Sequence, residues 1–210
     1  MTRSRLLFLL LYVTSILPNV YGQTTYTCNS RYKISLPNKL KLQDSELNTI
    51  NTESERINIS TSSGHITFQQ KGLNDNVSSA FSKYCRVIIE YFTESKQDPT
   101  FGMGDKIVVD RDILYAVNEA AEQNCKASGT PLIKLISVES LSINGFPVLY
   151  YSYKRKGWEG KQPPVIVNVY RIFNKYESVT LTFSYREQER NLWSDIHDNI
   201  QKTFTFTRKY

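Results

Sequence analysis

Apolar and polar residues alternate most regularly near the end of the chain. Val165-Ile-Val-Asn-Val-Tyr-Arg-Ile-Phe173 is a β-rich run. Asn174 to Glu177 is a short connection, and Val179, Leu181, Phe183 and Tyr185 then alternate with Ser178, Thr180, Thr182 and Ser184. A period of two predicts a strand with one face buried and one wet, and so short a connection predicts antiparallel pairing. The period then changes. Leu192, Ile196 and Ile200 recur every fourth residue with Trp193 beside them, while Asp195, His197, Asp198 and Gln201 take other sides. That is a helix laying one stripe on a sheet. Ser184 and Glu187 have the spacing of a capping box for it. Thr203 to Thr207 alternates again as a last short strand.

Upstream, Tyr32, Ile34 and Leu36 alternate with Arg31, Lys33 and Ser35 and predict a strand ending at Pro37. Leu40 to Glu53 reads as polar and irregular. Ile57 and Ile59 mark a second strand, Ser62-Ser63-Gly64 a turn, and Ile66, Phe68 and Gln70 the returning strand of a hairpin. Asn74 to Ser82 reads as a loop or one helical turn, and Tyr84 to Thr93 as a strong strand. After the connection Glu94 to Lys106, Asp110 caps a helix with the apolar stripe Ile113, Leu114, Val117, Ala120 and Ala121, ended by Ser128-Gly129. Ile133 to Ile143 and Phe146 to Lys154 flank Asn144-Gly145, the hairpin pair suited to a type I′ turn. The order predicts an α+β protein: one mostly antiparallel β-sheet with helices packed on it.

The first residues fit none of these elements. Arg3 and Arg5 precede an apolar run from Leu6 to Leu17, and Val20-Tyr21-Gly22 offers a small residue at a cut. Residues 1–22 read as a secretory signal peptide cleaved after Gly22; the alternative is an uncleaved anchor. The run is short of the roughly 20 residues that span a bilayer. No other stretch could cross one, so no transmembrane span is expected in the mature chain. Thr25-Tyr26-Thr27 before Cys28 is a poor lipobox. The mature part, 210 − 22 = 188 residues, fits a single domain, 23–210. Without Arg3 and Arg5 the net charge falls from +6 to +4. That is mildly basic, argues against nucleic acid, and leaves a weak attraction to anionic surfaces. Asn58-Ile-Ser60 and Asn76-Val-Ser78 are glycosylation sequons.

Export permits a disulfide among Cys28, Cys85 and Cys125. Cys85 opens a strand and Cys125 closes a helix that must run back. The two elements rise by similar amounts, roughly 23 Å each, so Cys85–Cys125 is the favoured pair. Three buried reduced thiols are the alternative.

Several pieces together resemble the PsbP-like superfamily, which includes the DcrB-type envelope proteins. They are Tyr32-Lys-Ile-Ser-Leu-Pro37 as the opening strand with its proline; Asn144-Gly-Phe146 before a tyrosine-rich strand; the paired runs at 165–173 and 178–185; and Trp193, Ile196 and Ile200 leading to Phe204. The resemblance covers nearly the whole mature chain and implies an α/β/α sandwich. It also implies a binding protein: members include a photosystem assembly subunit, a partner of the Ran GTPase and secretion-system chaperones. It carries no catalytic motif onto named residues here.

Catalytic signatures are sparse. Gly102-Met-Gly104-Asp-Lys106 lacks the spacing of a phosphate-cradling loop, and Gly-x-Ser-x-Gly and Cys-x-x-Cys are absent. His65 and His197 are far apart, and the Asp195, His197, Asp198 trio reads as the wet side of a helix. No catalytic residue, metal ligand or cofactor is expected. Two loops remain as candidate binding sites. In Glu94–Lys106, Phe101 and Met103 sit between glycines; the alternative is that Phe101 tucks into the core and anchors the loop. In the second, Lys154, Arg155, Lys156 and Lys161 surround Trp158, residue types that anchor interfaces or meet anionic groups. The alternative there is a solvated hairpin loop with Trp158 folded back over the sheet.

The expectation is an exported, non-enzymatic binding protein of the cell envelope, periplasmic or secreted. Its expected partner is an envelope or extracellular protein, or an anionic glycan or lipid surface. The alternatives are an enzyme acting on envelope glycan or lipid through dispersed carboxylates, or a secretion chaperone or immunity-type protein.

Overall fold

The strands of the chain divide between two sheets. The computed structural model describes residues 22–43, 49–53, 56–61, 64–73, 75, 80, 82–97 and 100–210. The expected signal peptide lies outside them except for Gly22, as do the sequon at Asn76 and the turn residues Ser62 and Ser63. The strands are β1 (Gln23–Cys28), β2 (Tyr32–Pro37), β3 (Leu40–Leu42), β4 (Thr49–Glu53), β5 (Arg56–Ser60), β6 (His65–Gln70), β7 (Cys85–Thr93), β8 (Leu132–Ile143), β9 (Phe146–Arg155), β10 (Val165–Phe173), β11 (Glu177–Arg186) and β12 (Thr205–Phe206). The helices are α1 (Arg111–Ala127) and α2 (Arg190–Thr203).

A seven-stranded sheet runs β3-β6-β7-β11-β10-β9-β8, and a five-stranded sheet runs β12-β2-β1-β5-β4. The pairings are antiparallel except β1 with β5. One face of the large sheet carries α1, which lies over β8 and β9. The other face carries the small sheet and α2 together. Tyr26 meets Phe68 edge-on at 4.6 Å and Phe146 meets Phe206 at 5.0 Å, joining the sheets. Trp193, Ile196 and Ile200 of α2 are buried with Ile34 and Leu36 of β2 and Leu181 and Phe183 of β11. Each such fully buried side chain stabilises the fold by roughly 1.5–3 kcal/mol. This is the expected mostly antiparallel α+β fold with a helix on each side.

Particular expectations change. Leu40 to Glu53 is not wholly irregular, because β3 and β4 form within it. Strands β5 and β6 do not make a hairpin; β5 pairs with β1 and β4, and β6 with β3 and β7. The face of β11 expected to be wet is partly sealed, with Ser178 and Ser184 buried. Their hydroxyls reach Glu94 Oε1 at 2.7 Å and Tyr84 OH at 3.2 Å, so short polar side chains sit inside at little cost. The capping box at Ser184 and Glu187 does not form: Ser184 is still in β11, and α2 starts after Glu189 with no side-chain cap bond.

Other local readings hold. Asp110 Oδ1 accepts the Ile113 N–H at 2.9 Å, a cap that contributes about 1 kcal/mol. Asn144 and Gly145 both take positive φ, 52° and 87°, as the turn between β8 and β9 requires. The stripe of α1 is narrower than expected. Val117, Ala121 and Cys125 are buried, but Leu114 is exposed.

Candidate functional site

Three arginines come from three strands, and the register places them on one face. Val165 opens β10 and is paired with Arg186 of β11 on one side and Arg155 of β9 on the other. Directly opposed residues share a face, so the two arginines flank Val165. Arg86 of β7 is opposite Ser184, two residues before Arg186 and therefore on the same face. This is the α1 side of the sheet, at the end beyond the last turn of α1.

The connection from β9 to β10 roofs this corner. Its ends are pinned by Lys156 N–H to the Pro131 carbonyl and by Glu187 N–H to the Pro164 carbonyl, both 2.9 Å. Trp158 to Gly160 forms one 3₁₀ turn. Gly157 permits the fold-back, because a Cβ there would lie 2.3 Å from the Gln162 carbonyl oxygen and 2.5 Å from that of Pro163. Beneath lies a cavity of about 570 Å³, lined by Leu73, Tyr84, Arg86, Ser128, Thr130, Arg155, Gly157, Trp158, Gln162, Pro163, Val165 and Arg186.

Among the described residues the lining holds three guanidinium groups and no carboxylate. Just behind it, Glu189 Oε1 lies 3.4 Å from Arg186 Nη1, while Glu189 Oε2 accepts from Tyr84 N–H and Trp193 Nε1 at 2.9 and 3.0 Å. Arg186 also donates to Gln162 Oε1 at 3.1 Å, which fixes a side chain only 8% exposed. Arg155 donates to the Lys156 carbonyl at 3.3 Å. Arg86 Nε is buried and meets no hydrogen-bond partner among the described residues. Leaving such a donor unmatched costs about 1–3 kcal/mol. Burial pushes the nearby Cys125 thiol up, with Arg155 pulling the other way. The hydroxyls of Ser128 and Thr130 bond each other at 2.5 Å. The corner is therefore suited to holding an anion against an apolar wall, and among the described residues it contains no carboxylate pair for acid–base work.

The expected site residues separate. Arg155 and Trp158 line the cavity, and Trp158 is 67% exposed rather than folded back over the sheet. Lys156 and Lys161 are exposed on the same loop. Lys154 falls on the opposite face of β9 and pairs with Glu187 at 2.5 Å. Met103 lies by Gly145 and Phe101 against Phe173, at the other end of β9, whose ten residues span about 33 Å. Arg86 and Arg186 escaped the sequence reading, although an arginine between Cys85 and Val87, inside an apolar strand, was a signal.

The cysteines are free and buried. Cys85 packs with Val87 and Ile89 on the α2 side, whereas Cys125 packs with Val165, Val167 and Val169 on the α1 side. The proposed Cys85–Cys125 pair would have to cross the sheet; comparing element lengths did not see faces. The trio on α2 also disperses. Asp195 pairs with Lys39 at 2.6 Å, Asp198 with Lys202 at 3.8 Å, and His197 Nδ1 with the Tyr170 hydroxyl. Burial lowers the His197 pKa, opposed by Asp198. Among the described residues no group of His, Cys, Asp and Glu converges to hold a metal ion, and no helix is long and apolar enough to cross a membrane.

No family model and no curated protein matches the chain. Solved structures do. The solution structure of cyanobacterial PsbP from Synechocystis sp. PCC 6803 is 14% identical, with a TM-score of 0.52 over 90% of this chain and 94% of that one. A crystal structure from Bacteroides thetaiotaomicron is 10% identical, with a TM-score of 0.49 over 90% of this chain and 50% of that one. A Pseudomonas aeruginosa protein of unknown function is 10% identical, with a TM-score of 0.38 over 73% and 92%. The chain has a PsbP-like fold.

Proposed function

We propose that the chain is an exported, non-enzymatic binding protein that engages its partner with loop 156–164 and the cavity beneath it. One observation carries this reading: Trp158 stands 67% exposed on the roof of an arginine-lined cavity. A large aromatic beside guanidinium groups is the composition of an interface anchor. The leader-like residues 1–22 support export. The alternatives gain less support. An enzyme working through dispersed carboxylates needs two of them close together in a pocket, and among the described residues none lines this cavity. A chaperone needs an open apolar sheet face, and the small sheet with α2 already occupies the most apolar one. The partner class is an envelope or extracellular protein, or an anionic glycan or lipid surface.

Capture from host envelope extract by the mature protein and by Trp158→Ala, side by side, tests the reading. Retention of the same species by wild type alone is the expected result. Equal retention by both removes the loop from the function.

A further inference from the structure

The cavity has more definite chemistry than the loop above it. Its positive charge comes from Arg86, Arg155 and Arg186; among the described residues no carboxylate lines it, and Glu189 stands behind Arg186. Arg186 is already committed to Glu189 and Gln162, whereas Arg86 Nε meets no acceptor among the described residues. Nε itself is closed off from the cavity; what Arg86 offers a ligand is its positive charge as a lining residue, beside Arg155 and Arg186. Guanidinium groups favour carboxylate and phosphate oxygens, which they can grip in pairs. Apart from Ser128, Thr130 and Gln162, the remaining wall is apolar and aromatic, with Leu73, Pro163 and Val165 beside Tyr84 and Trp158. At about 570 Å³, the volume lies within the range of small-molecule sites, roughly 300–1,000 Å³.

We propose that this cavity binds a small amphipathic acid: a carboxylate or phosphate head placed among Arg86, Arg155 and Arg186, and an apolar body under Trp158. The proposal deepens the binding reading above and rests on its choice of site, but not on the identity of any macromolecular partner. The roof leaves room for a free molecule, so the ligand is a monomeric acid and not a membrane surface.

The test is calorimetric titration of the mature protein with decanoate, decyl phosphate, decanol and inorganic phosphate below micellar concentrations. Vesicles containing phosphatidylglycerol form a separate sedimentation arm. Saturable 1:1 binding of one or both decyl acids is expected, with decanol and inorganic phosphate each at least about tenfold weaker, decanol because it lacks a charge-assisted contact and phosphate because it lacks an apolar body to bury. The preferred head distinguishes a carboxylate from a phosphate ligand. Arg86→Met and Arg155→Met should each weaken the acid at least about tenfold while leaving decanol unchanged. Arg155 serves as the second variant, should Arg86→Met fold poorly, because it is only partly buried and ends β9. Equal affinity for decanol, no binding of either acid, unchanged affinity in both arginine variants, or arginine-dependent binding to vesicles alone would each overturn the proposal. Loss of acid binding with Trp158-dependent capture intact would sink only this inference. Acid binding intact with capture indifferent to Trp158 would sink only the earlier one.

Discussion

Two loops share a sequence signature and end in opposite states. Both set large apolar side chains among glycines: Phe101 before Gly102 and Met103 between Gly102 and Gly104 in one, Trp158 between Gly157 and Gly160 in the other. The first is sewn to the protein along its length. The Thr100 N–H reaches the Lys175 carbonyl, the Lys175 N–H reaches that of Phe101, the Met103 N–H that of Tyr210, and the Gly104 N–H that of Gly145, all within 2.7–3.1 Å. Phe101 stands edge-on to Phe173 at 5.4 Å. The second is pinned at its ends and folded on itself at Gly157, with a cavity below and Trp158 in solvent. Glycine spacing announces only that the backbone must turn. What the loop does depends on what the rest of the chain brings to meet it: a β-turn and the C-terminal segment for the first, a cluster of arginines for the second.

The largest expected effect breaks the second loop at its fold-back. Gly157→Ala puts a methyl group 2.3 Å from a backbone oxygen, which no rotamer can relieve. Overpacking of this kind typically costs about 1–3 kcal/mol, and the upper half of that range is expected in urea denaturation, together with loss of acid binding. An unchanged midpoint and an unchanged affinity would mean that the roof is not closed at this point. Next in size is the anchor of the first loop. Phe101→Ala removes the edge contact with Phe173 from a side chain that is 37% exposed. The expected loss is about 1–2 kcal/mol, below the 3–5 of a fully buried phenylalanine, with acid binding intact. A drop in affinity equal to that of Gly157→Ala would show that the two loops are coupled across the sheet and that their separation is only apparent.

The same contrast separates what was legible in the sequence from what was not. Local signals held where a few neighbouring residues decide the outcome: the cap at Asp110, the positive φ pair at Asn144 and Gly145, the stripe of Trp193, Ile196 and Ile200. The alternation of β11 was visible, yet its polar face was misread as wet, because burial of Ser178 and Ser184 depends on Glu94 and Tyr84, which are remote in sequence. The partition into two sheets was hidden for the same reason: nothing near β5 shows that its partner is β1. Half of the site was legible, since Arg155 and Trp158 stand in one short stretch. Arg86 and Arg186 join them only through the registers of β7 with β11 and β11 with β10. Lys154 illustrates the converse. It neighbours Arg155 in sequence, but the period of two sends it through the sheet to Glu187.

The smallest expected effect on stability is at the residue that matters most for function. Trp158 is 67% exposed, sits on a single 3₁₀ turn and makes the cavity's outer wall. Its removal uncovers little that the fold itself needs, because the loop is held by the Lys156–Pro131 and Glu187–Pro164 backbone bonds. Trp158→Ala should therefore shift unfolding by no more than about 0.5 kcal/mol, the usual scale for surface substitutions. The same change should abolish capture and weaken the acid, whose apolar body loses one wall. The comparison turns on that split. Phe101→Ala is expected to cost stability and spare binding, and Trp158→Ala to cost binding and spare stability. If denaturation shows Trp158→Ala to be as destabilising as Phe101→Ala, the indole is an anchor like the phenyl ring, and its exposure carries no functional meaning.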